Sequence, residues 1–375
     1  MLYNSDYRPQ TPTLQNSGDD DGETARALGE PRSRAEGRVQ DEAARADVAN
    51  VALAVAQALA RRPQCTVQLF PVRRVSDVLR ALRSFVPDVV FNLCESLLSD
   101  ARYEPVVAAV QERLGAVFTG NGPRVLRLCL DKYACNQALQ RAGLMVPRSA
   151  LVDSGRDLPS QVVFPAIVKP NREDGSTGIH SGSVVQDRDQ SLAQIEHLRH
   201  TVGGPIIVQE YIDGRELNVA VLGNQPVQML PLAEIDFGSM PTGLPHIVSY
   251  AAKWDLDSPE CSGTRVVAAA LEPDVERRVR RLVRGVADAL DLQGYARVDL
   301  RLDHLGRPFV VDVNPNCDIG PTGGMALAAA RADLPYPELI WTVVQLALQR
   351  QDLSSLAVGR GRTARGSCAV DRAHP

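Results

Sequence analysis

The chain has 375 residues, of which 44% are hydrophobic and 23% are charged, and its formal net charge is −4. This length suits two or three sub-domains, and the composition is that of an ordinary soluble globular protein. A charge so near zero favours neither a nucleic-acid partner nor an anionic membrane surface, and no apolar run is long enough for a spanning helix. The amino end is polar and acidic rather than signal-like, so we expect a cytoplasmic protein.

The seven cysteines are scattered along the chain without a Cys-x-x-Cys pair. An odd, unpatterned set of cysteines predicts free thiols in a reducing compartment. The six histidines are equally scattered, so we do not expect a zinc site.

The first part of the chain predicts a parallel α/β unit. Residues 1–4 resemble the end of a strand that has lost its start, through a misplaced start codon or a clipped strand. The rest of segment 1–47 is rich in Asp, Glu, Arg, Gly and Ser, and we expect it to be mostly disordered. From 48 to 123, strands alternate with helices, which indicates parallel strands joined by crossover helices. The predicted helices cover 48–60, 75–84 and 103–114, and the predicted strands cover 66–70, 88–93 and 116–119.

The second part of the chain predicts more strands, with glycine-bearing turns between them. We place sub-domains at 124–205 and 206–350, followed by a mobile polar tail at 351–375. Strands 295–302 and 308–313 are expected to pair antiparallel. The other predicted strands are 162–169, 181–185, 206–210, and the hairpin 216–222 with 225–232. The predicted helices are 124–142, 191–200, 274–290, 322–332 and 336–350.

Lysine is scarce in this sequence. Only three of the 41 basic residues are lysines, namely Lys132, Lys169 and Lys253. Lysine is a compact point charge, whereas arginine is a rigid planar fork, and a site that needs one small cation against a phosphate oxygen cannot easily use the fork. A GC-rich coding bias would explain the same scarcity, and composition alone leaves the two explanations level.

A lysine at the end of a strand is followed at once by a Gly/Ser loop, in Ile167–Pro170 and then Asn171–Ile179. Small residues let backbone N–H groups approach phosphate oxygens, and the lysine adds charge. Gly-Lys-Ser/Thr and Gly-x-Gly-x-x-Gly are both absent, so neither the common phosphate loop nor a dinucleotide fingerprint is present. A surface hairpin with a solvated lysine explains this segment equally well.

Acidic and amide side chains alternate along two neighbouring predicted strands. Alternation puts Arg297 and Asp299 on one face of the first strand, and Asp312 and Asn314 on one face of the second. If the strands pair, two carboxylates and an amide oxygen converge beside an arginine, and such hard oxygen ligands suit Mg²⁺. A solvent-facing strand pair is the alternative, but the residues between them are apolar, so we favour a site.

A third segment, Val208–Glu216, carries a strand into a turn and then an acid. Backbone groups at such a turn can contact an adenine edge, and the carboxylate of Glu216 can accept hydrogen bonds from ribose hydroxyls. Taken alone, an ordinary strand–turn–strand is the better explanation.

The order of these motifs resembles that of ATP-grasp enzymes, from about Val48 to Arg350, and most closely the D-alanine–D-alanine ligase branch. The resemblance implies an α/β (α+β ATP-grasp) fold, with an N-terminal parallel α/β domain and two α+β sub-domains that clasp ATP. It is carried by Asp131-Lys132, Val168-Lys169-Pro170, Glu210-Tyr211-Ile212 with Glu216, Lys253, Arg297-Val298-Asp299 and Asp312-Val313-Asn314.

The resemblance also implies an activity and a set of site residues. Such enzymes phosphorylate a carboxylate to an acylphosphate, which an amine attacks, and they release ADP and phosphate. The residues that would bind ATP are Lys132, Lys169, Gly175, Ser176, Thr177, Gln209, Glu210, Ile212, Glu216 and Lys253. Those that would hold one or two Mg²⁺ ions, with Mn²⁺ as an alternative, are Asp299, Asp312 and Asn314. Those that would act on the reacting groups are Arg297, Lys253 and Ser176.

The sequence departs from the family where the substrates would bind. The family's early His-Gly is missing from Phe91–Glu104; here Glu95 or Glu104 could hold an ammonium, and Arg102 a carboxylate. Solvated charge on a loop or helix start explains all three equally. The segment after Asn314 is unlike the one that holds the second D-alanine, and Thr322 and Gly323 are the candidate contacts there.

Two further departures lie on the ATP side. Trp254 stands where the family often has a tyrosine that bonds a loop serine, so we expect Ser176 to lose that partner. Asp312 replaces the family's usual glutamate, which shortens its reach.

We therefore expect an ATP-dependent carboxylate–amine ligase that joins amino acids or short peptides other than two D-alanines. The alternatives are a small-molecule kinase on the same fold and a nucleotide-binding protein without catalysis. The oligomeric state is left open, with a homodimer as one option.

Overall fold

The structure is a computed structural model that describes residues 1–4, 48–98 and 100–363. The predicted disorder at 5–47 and the end of the predicted tail lie outside the described residues. The strands are β1 (Leu2–Asn4), β2 (Phe70–Val72), β3 (Asn92–Leu93), β4 (Ser149–Val152), β5 (Ala166–Pro170), β6 (Val184–Val185), β7 (Ile206–Glu210), β8 (Arg215–Gly223), β9 (Gln228–Met229), β10 (Ala233–Asp236), β11 (Arg265–Ala268), β12 (Gly294–Leu302) and β13 (Pro308–Asn314). The helices are α1 (48–60), α2 (Val75–Ser84), α3 (Glu104–Arg113), α4 (Pro123–Leu130), α5 (Lys132–Arg141), α6 (Arg188–Thr201), α7 (Tyr250–Trp254), α8 (Pro259–Ser262), α9 (Pro273–Leu290), α10 (Gly324–Ala330) and α11 (Tyr336–Thr363).

The N-terminal sheet is parallel, as the alternating pattern predicted, with the order β2-β1-β3. Its central strand is β1, which confirms the predicted strand at the start of the chain, over Leu2–Asn4. The predicted strand 66–70 is displaced to Phe70–Val72, because β1 offers partners only to those residues. The predicted strands 88–93 and 116–119 were too long: they reduce to β3 and a single bridge between Val90 and Phe118.

The second sheet is antiparallel, with the order β4-β7-β5-β6, and α6 packs on it through Ile195 and Leu198. Strand β7 belongs to this sheet, so the predicted boundary between residues 205 and 206 would separate β7 from its partners β4 and β5. The chain passes to the next sheet only after Glu210, because the pairing partners of β7 are β4 and β5.

The third sheet carries most of the candidate site residues. Its order is β11-β10-β8-β12-β13, with β9 on β8, and the predicted antiparallel pairing of β12 with β13 is confirmed. The register shifts between Asp299 and Leu300, so that Leu300 pairs with Val310. This bulge puts both Val310 and Val313 into the core beneath α9, and Val311 lies between them at the bulge.

Two predicted helices differ from the structure. The single helix 124–142 is wrong: it is interrupted at Asp131, whose side chain accepts a hydrogen bond from Ala134 N and caps α5. The predicted tail is helical to Thr363, because α11 meets no proline there. No helix in the described part of the chain is long and apolar enough to cross a membrane. None of the six described cysteines forms a disulfide.

Candidate active site

Two of the three lysines are brought together by one buried asparagine. Asn171 follows β5 directly, and its side-chain oxygen accepts from Tyr133 N at 2.8 Å while its amide donates to Asp131 at 2.8 Å. The Asn171 carbonyl accepts from Lys132 N at 3.1 Å. These bonds dock the start of α5 onto the end of β5, so Lys132 lies beside Lys169, although 37 positions separate them in the sequence.

The acidic side chains converge across β12 and β13, as their alternation predicted. Asp299 is paired with Asp312, and Arg297 with Asn314. Arg297 grips Asp299 with two hydrogen bonds, from Nε at 2.7 Å and from Nη2 at 2.8 Å. Asn218 on β8 adds a third, at 2.9 Å. Asp299 is therefore held rigidly in a buried position.

Lys132 connects the lysines to the acids. Its Nζ lies 3.4 Å from Asp312 Oδ2 and 3.1 Å from Asp174 Oδ1, and its side chain is buried. Burial acts to lower the pKa of Lys132, but the two carboxylates outweigh it and raise that pKa. Burial likewise acts to raise the pKa of Asp312, but Lys132, Lys169 and Arg297 outweigh it and lower that pKa. Both groups are charged at neutral pH.

The other two lysines are less fully neutralised. Lys169 is buried, and its Nζ lies 3.5 Å from the carbonyl of Val311 at the bulge. Burial, together with the charge of Lys132, lowers its pKa. Lys253 on α7 has a solvent-exposed side chain, yet desolvation at its ammonium and the charge of Arg297 lower its pKa too. The cluster thus holds cations that would gain from a polyanion between them.

The Gly/Ser loop is tied to the segment that carries Lys253. Ser176 Oγ donates to the Val248 carbonyl at 2.8 Å, and Trp254 Nε1 donates to the Gly175 carbonyl at 2.9 Å. The indole therefore does not bond Ser176, as expected, but it anchors the neighbouring residue. Ser176 adopts φ 64°, an uncommon conformation for a non-glycine residue. Thr177 bonds within the loop, to the Asp174 carbonyl at 2.9 Å.

The predicted adenine and ribose residues line one strand-to-turn connection. Gln209 and Ile212 are buried, and Glu210 accepts from Arg148 N at 3.3 Å. A Cβ on Gly214 would lie 2.0 Å from the Leu302 carbonyl, so only glycine lets this turn approach β12. Glu216 is half-buried, and burial raises its pKa.

Sequence reasoning missed Arg301, which is buried beside this connection. Its Nη1 lies 3.0 Å from Glu216 Oε2, and its Nε donates to the Ile212 carbonyl at 2.9 Å. The signal was present, because Arg301 continues the alternating face of Arg297 and Asp299. Asp174 was missed as well; only the fold brings it to Lys132.

One of the predicted substrate residues is a buried acid. Glu104, at the start of α3, accepts from Asn316 Nδ2 at 2.9 Å, and Asn316 Oδ1 accepts from Tyr295 OH at 2.9 Å. Burial, then Asp174, raise the pKa of Glu104 well above its usual range. Asn316 was not predicted as a site residue, although it stands two positions after Asn314. This network joins the N-terminal sheet to the end of β13.

The remaining predicted substrate residues are spread around this acid. Arg102 is exposed and forms a two-pronged ion pair with Asp100, at 2.7 Å for the shorter contact. Glu95 and Thr322 are exposed, while Gly323 is buried. A Cβ on Gly323 would lie 2.3 Å from Asp318 Oδ2, so a larger residue there would have to displace the Asp318 side chain. The structure therefore brings Glu104, but not Arg102, into the buried cluster.

The donor set at β12 and β13 fits a hard divalent cation. Asp299 and Asp312 supply carboxylate oxygens, and Asn314 supplies an amide oxygen that now accepts from Asn316 N at 3.0 Å. Among the described residues, no group of three or more His, Cys, Asp and Glu side chains is placed to hold a metal. Further oxygens would have to come from a bound ligand such as a phosphate.

Comparison with known proteins agrees with this geometry. The family model "D-ala D-ala ligase C-terminus" matches residues 141–345. An uncharacterized protein, y4sG, from Sinorhizobium fredii is 30% identical over 291 residues, covering 73% of this chain and 81% of the relative. A D-alanine–D-alanine ligase from Desulforudis audaxviator is 28% identical, covering 76% and 89%.

Solved structures share the fold. The D-alanine–D-alanine ligase from Bacillus anthracis complexed with ATP superimposes with a TM-score of 0.64 at 18% identity, covering 82% of this chain and 95% of that one. The VanG D-Ala:D-Ser ligase from Enterococcus faecalis superimposes with a TM-score of 0.58 at 21% identity, covering 69% and 73%. Neither the kinase nor the non-catalytic alternative is favoured by these matches. The chain belongs to the D-alanine–D-alanine ligase family of ATP-grasp enzymes, and it is an ATP-dependent ligase that joins a carboxylate to an amine through a C–N bond.

Proposed function

We propose that the cluster around Lys132 and Asp312 binds the triphosphate of ATP with Mg²⁺, and that the enzyme joins two substrates other than a pair of D-alanines. The observation that carries the first part is the 3.4 Å contact of Lys132 with Asp312, which is itself the cross-strand partner of Asp299. Scarce lysines and paired acids meet at one place, which is the arrangement that a metal-bound polyphosphate requires.

The chemistry would follow from this arrangement. A carboxylate oxygen of the first substrate attacks the terminal phosphorus, and ADP leaves. The amine of the second substrate then attacks the acyl carbon, the C–O bond to phosphate breaks, and the amine loses a proton. Lys132, Lys169 and Lys253 would bind the phosphates, and Arg297 would face the negative charge that develops. Asp299, Asp312 and Asn314 would hold Mg²⁺ or Mn²⁺, which would neutralise phosphate charge.

Other ATP contacts would come from the loop and the hinge. Gly175, Ser176 and Thr177 would close over the phosphates, and Gln209, Glu210 and Ile212 would line the adenine pocket. Glu216 would accept hydrogen bonds from the ribose.

The proposal about the substrates rests on the hydrogen bonds that join Glu104, Asn316 and Tyr295, in a region where the sequence departs from the family. Because Glu104 is buried and is joined to Asn316, we assign it to an ammonium group of an amino acid or short peptide. Glu95, Thr322 and Gly323 would line the same pocket. A related fold in a D-Ala:D-Ser ligase supports the idea that this scaffold accepts other second substrates.

A phosphate-release screen tests the proposal. Purified protein with Mg²⁺ and ATP is offered single amino acids, pairs of them and dipeptides, and any coupled product is identified by mass. We expect phosphate and an amide with at least one pair other than two D-alanines. Efficient coupling of D-alanine alone would contradict the substrate proposal, and a stable phosphoester would identify a kinase.

The cellular setting follows from the same proposal. The partners would be small-molecule carboxylates and amines, and the free cysteines suit the reducing cytoplasm. A homodimer stays a prediction, which light scattering would check.

A further inference from the structure

The buried guanidinium of Arg301 donates to more acceptors than are needed to satisfy a buried arginine. It lies on β12 with 4% of its surface exposed, and it is the direct cross-strand neighbour of Glu216 on β8. A buried arginine needs acceptors for its donors, but a single well-placed carboxylate and one or two carbonyls can supply them.

The acceptors of Arg301 lie on three separate segments. Nε donates to the Ile212 carbonyl at 2.9 Å, and Nη2 lies 3.0 Å from Tyr211 OH, with the guanidinium 5.0 Å from the centre of the tyrosine ring. Nη1 contacts Glu216 Oε2 at 3.0 Å and the His246 carbonyl at 2.7 Å. The guanidinium of Arg301 thus bonds to three parts of the site: the Tyr211–Ile212 connection, the proposed ribose ligand Glu216, and the His246 loop that leads toward Lys253.

The shape of the side chain is essential to this arrangement. The donors of a guanidinium have fixed directions, so that binding one acceptor fixes where the others must lie. A lysine at this position would keep the charge, but its single ammonium could not reach Ile212, Tyr211 and Glu216 together. Because Arg301 lies on β12, its hydrogen bonds fix the Tyr211–Ile212 connection relative to that strand.

We propose that Arg301 is a positioning residue for the nucleotide, which holds the Tyr211–Ile212 connection and the Glu216 carboxylate in the geometry that receives adenine and ribose. Arg301 binds one oxygen of Glu216, Oε2, and leaves the other for a ribose hydroxyl. This inference rests on the proposed ATP site. The His246 loop keeps another contact to Tyr211 OH at 3.2 Å, so Lys253 should stay in place without Arg301.

Nucleotide binding without turnover tests this role. Calorimetry would measure the Kd of ATP and of 2′,3′-dideoxyATP, which lacks both ribose hydroxyls, with no carboxylate substrate present. The proteins are wild type, Arg301→Lys, and Arg215→Lys as the matched control; Arg215 lies on the neighbouring strand, with an ion pair to Glu234 on the exposed side. We expect wild type and Arg215→Lys to prefer ATP by at least about tenfold.

For Arg301→Lys we expect the Kd of ATP to rise by about 10- to 100-fold, and the preference for ATP over the dideoxy nucleotide to fall below about threefold. In turnover, the KM for ATP should rise while kcat at saturating ATP stays within about threefold. A purely structural role would instead lower the folded fraction and leave both the Kd and the preference of the folded protein unchanged, which would overturn the inference.

A second variant covers the case in which Arg301→Lys does not fold. Tyr211→Phe removes the hydroxyl that accepts from Nη2 and donates to the His246 carbonyl, and it should raise the Kd of ATP by about two- to fivefold and weaken the ribose preference. Unchanged values in Tyr211→Phe would overturn the inference. Failure of the wild type to bind ATP at all would instead remove the proposed ATP site, so the two failures are distinguishable.

Discussion

The carboxylates of the β12/β13 pair and the carboxylate of Glu104 differ in how their charge is balanced. On the β12/β13 side, Asp299 is gripped by Arg297 and Asp312 is paired with Lys132. Glu104 on α3 is as buried as Asp299, but its hydrogen-bond partner is the neutral amide of Asn316, and it has no ion pair with any residue of 1–4, 48–98 or 100–363. Each carboxylate on the β12/β13 side thus has a cationic partner within the protein, whereas Glu104 is an acid that a cationic substrate group would balance.

Removal of a cation on the balanced side should have the largest effect. Lys169→Ala deletes a buried ammonium that the proposed triphosphate needs, and we expect ATP turnover to fall by at least about 10²-fold with the fold intact. Phosphate release and circular dichroism would measure the two quantities. Arg199→Ala, which deletes an exposed cation on α6, is the control and should leave turnover unchanged. Normal turnover in Lys169→Ala would remove the phosphate role.

Removal of one charge from the acid pair should come next. Asp312→Asn keeps the shape of the side chain but weakens a proposed Mg²⁺ ligand and the partner of Lys132. We expect the Mg²⁺ concentration for half-maximal turnover to rise by at least about tenfold. The measurement is a Mg²⁺ titration at fixed ATP, with Asp189→Asn on the exposed face of α6 as the control. Superimposable titrations of wild type and Asp312→Asn would contradict the metal assignment.

Removal of the charge of Glu104, the acid without a cationic partner, should raise the stability of the protein while it lowers activity. Burial raises the pKa of Glu104, so the folded state binds a proton more tightly there than the unfolded state does. Stability of the wild type should therefore fall as pH rises above the usual glutamate pKa of 4.5, and stop falling above the raised pKa. Glu104→Gln lacks this titration and should be the more stable protein at pH 8, but not at pH 4.

The cost of Glu104→Gln should appear in the KM of the amine or amino-acid substrate, which we expect to rise by about tenfold or more, with little change in the KM for ATP. Denaturant unfolding at the two pH values and steady-state kinetics would measure these effects. Glu112→Gln, on the exposed face of the same helix, is the matched control. If the difference in stability between wild type and Glu104→Gln were independent of pH, Glu104 would not be an acid that lacks a cationic partner.

The smallest effect is expected at Arg102. Its side chain is 72% exposed and already bonded to Asp100, and exposed ion pairs contribute little to stability. Arg102→Ala should therefore change the KM of each substrate by no more than about twofold. A large rise in the KM of the carboxylate substrate would show that Arg102 leaves Asp100 when substrate binds.

Sequence alone could predict those parts of the site that lie on regular strands. Period-two alternation placed Arg297 with Asp299 on one face of the first strand, and Asp312 with Asn314 on one face of the second. It could not show which of these residues lie opposite each other, because the register next to the turn would place Asp299 opposite Val311, and only the bulge brings it to Asp312. It could not show that Asp131 interrupts a helix to put Lys132 at its start, since the interruption depends on Asn171 from a distant strand. Nor could it show Glu104 next to Asn316, which are 212 positions apart and meet only through the packing of two sheets.

The central claim is that the three lysines surround one triphosphate, and the lysine-poor sequence makes that claim directly measurable. Amine acylation followed by mass analysis would report on Lys132, Lys169 and Lys253 with no other lysine in the chain. Without ligand, Lys169 and Lys253 should react faster than Lys132, whose pKa is raised rather than lowered. A non-hydrolysable ATP analogue with Mg²⁺ should protect all three lysines over the same concentration range. Protection of only one, or protection at separate concentrations, would contradict the single triphosphate site.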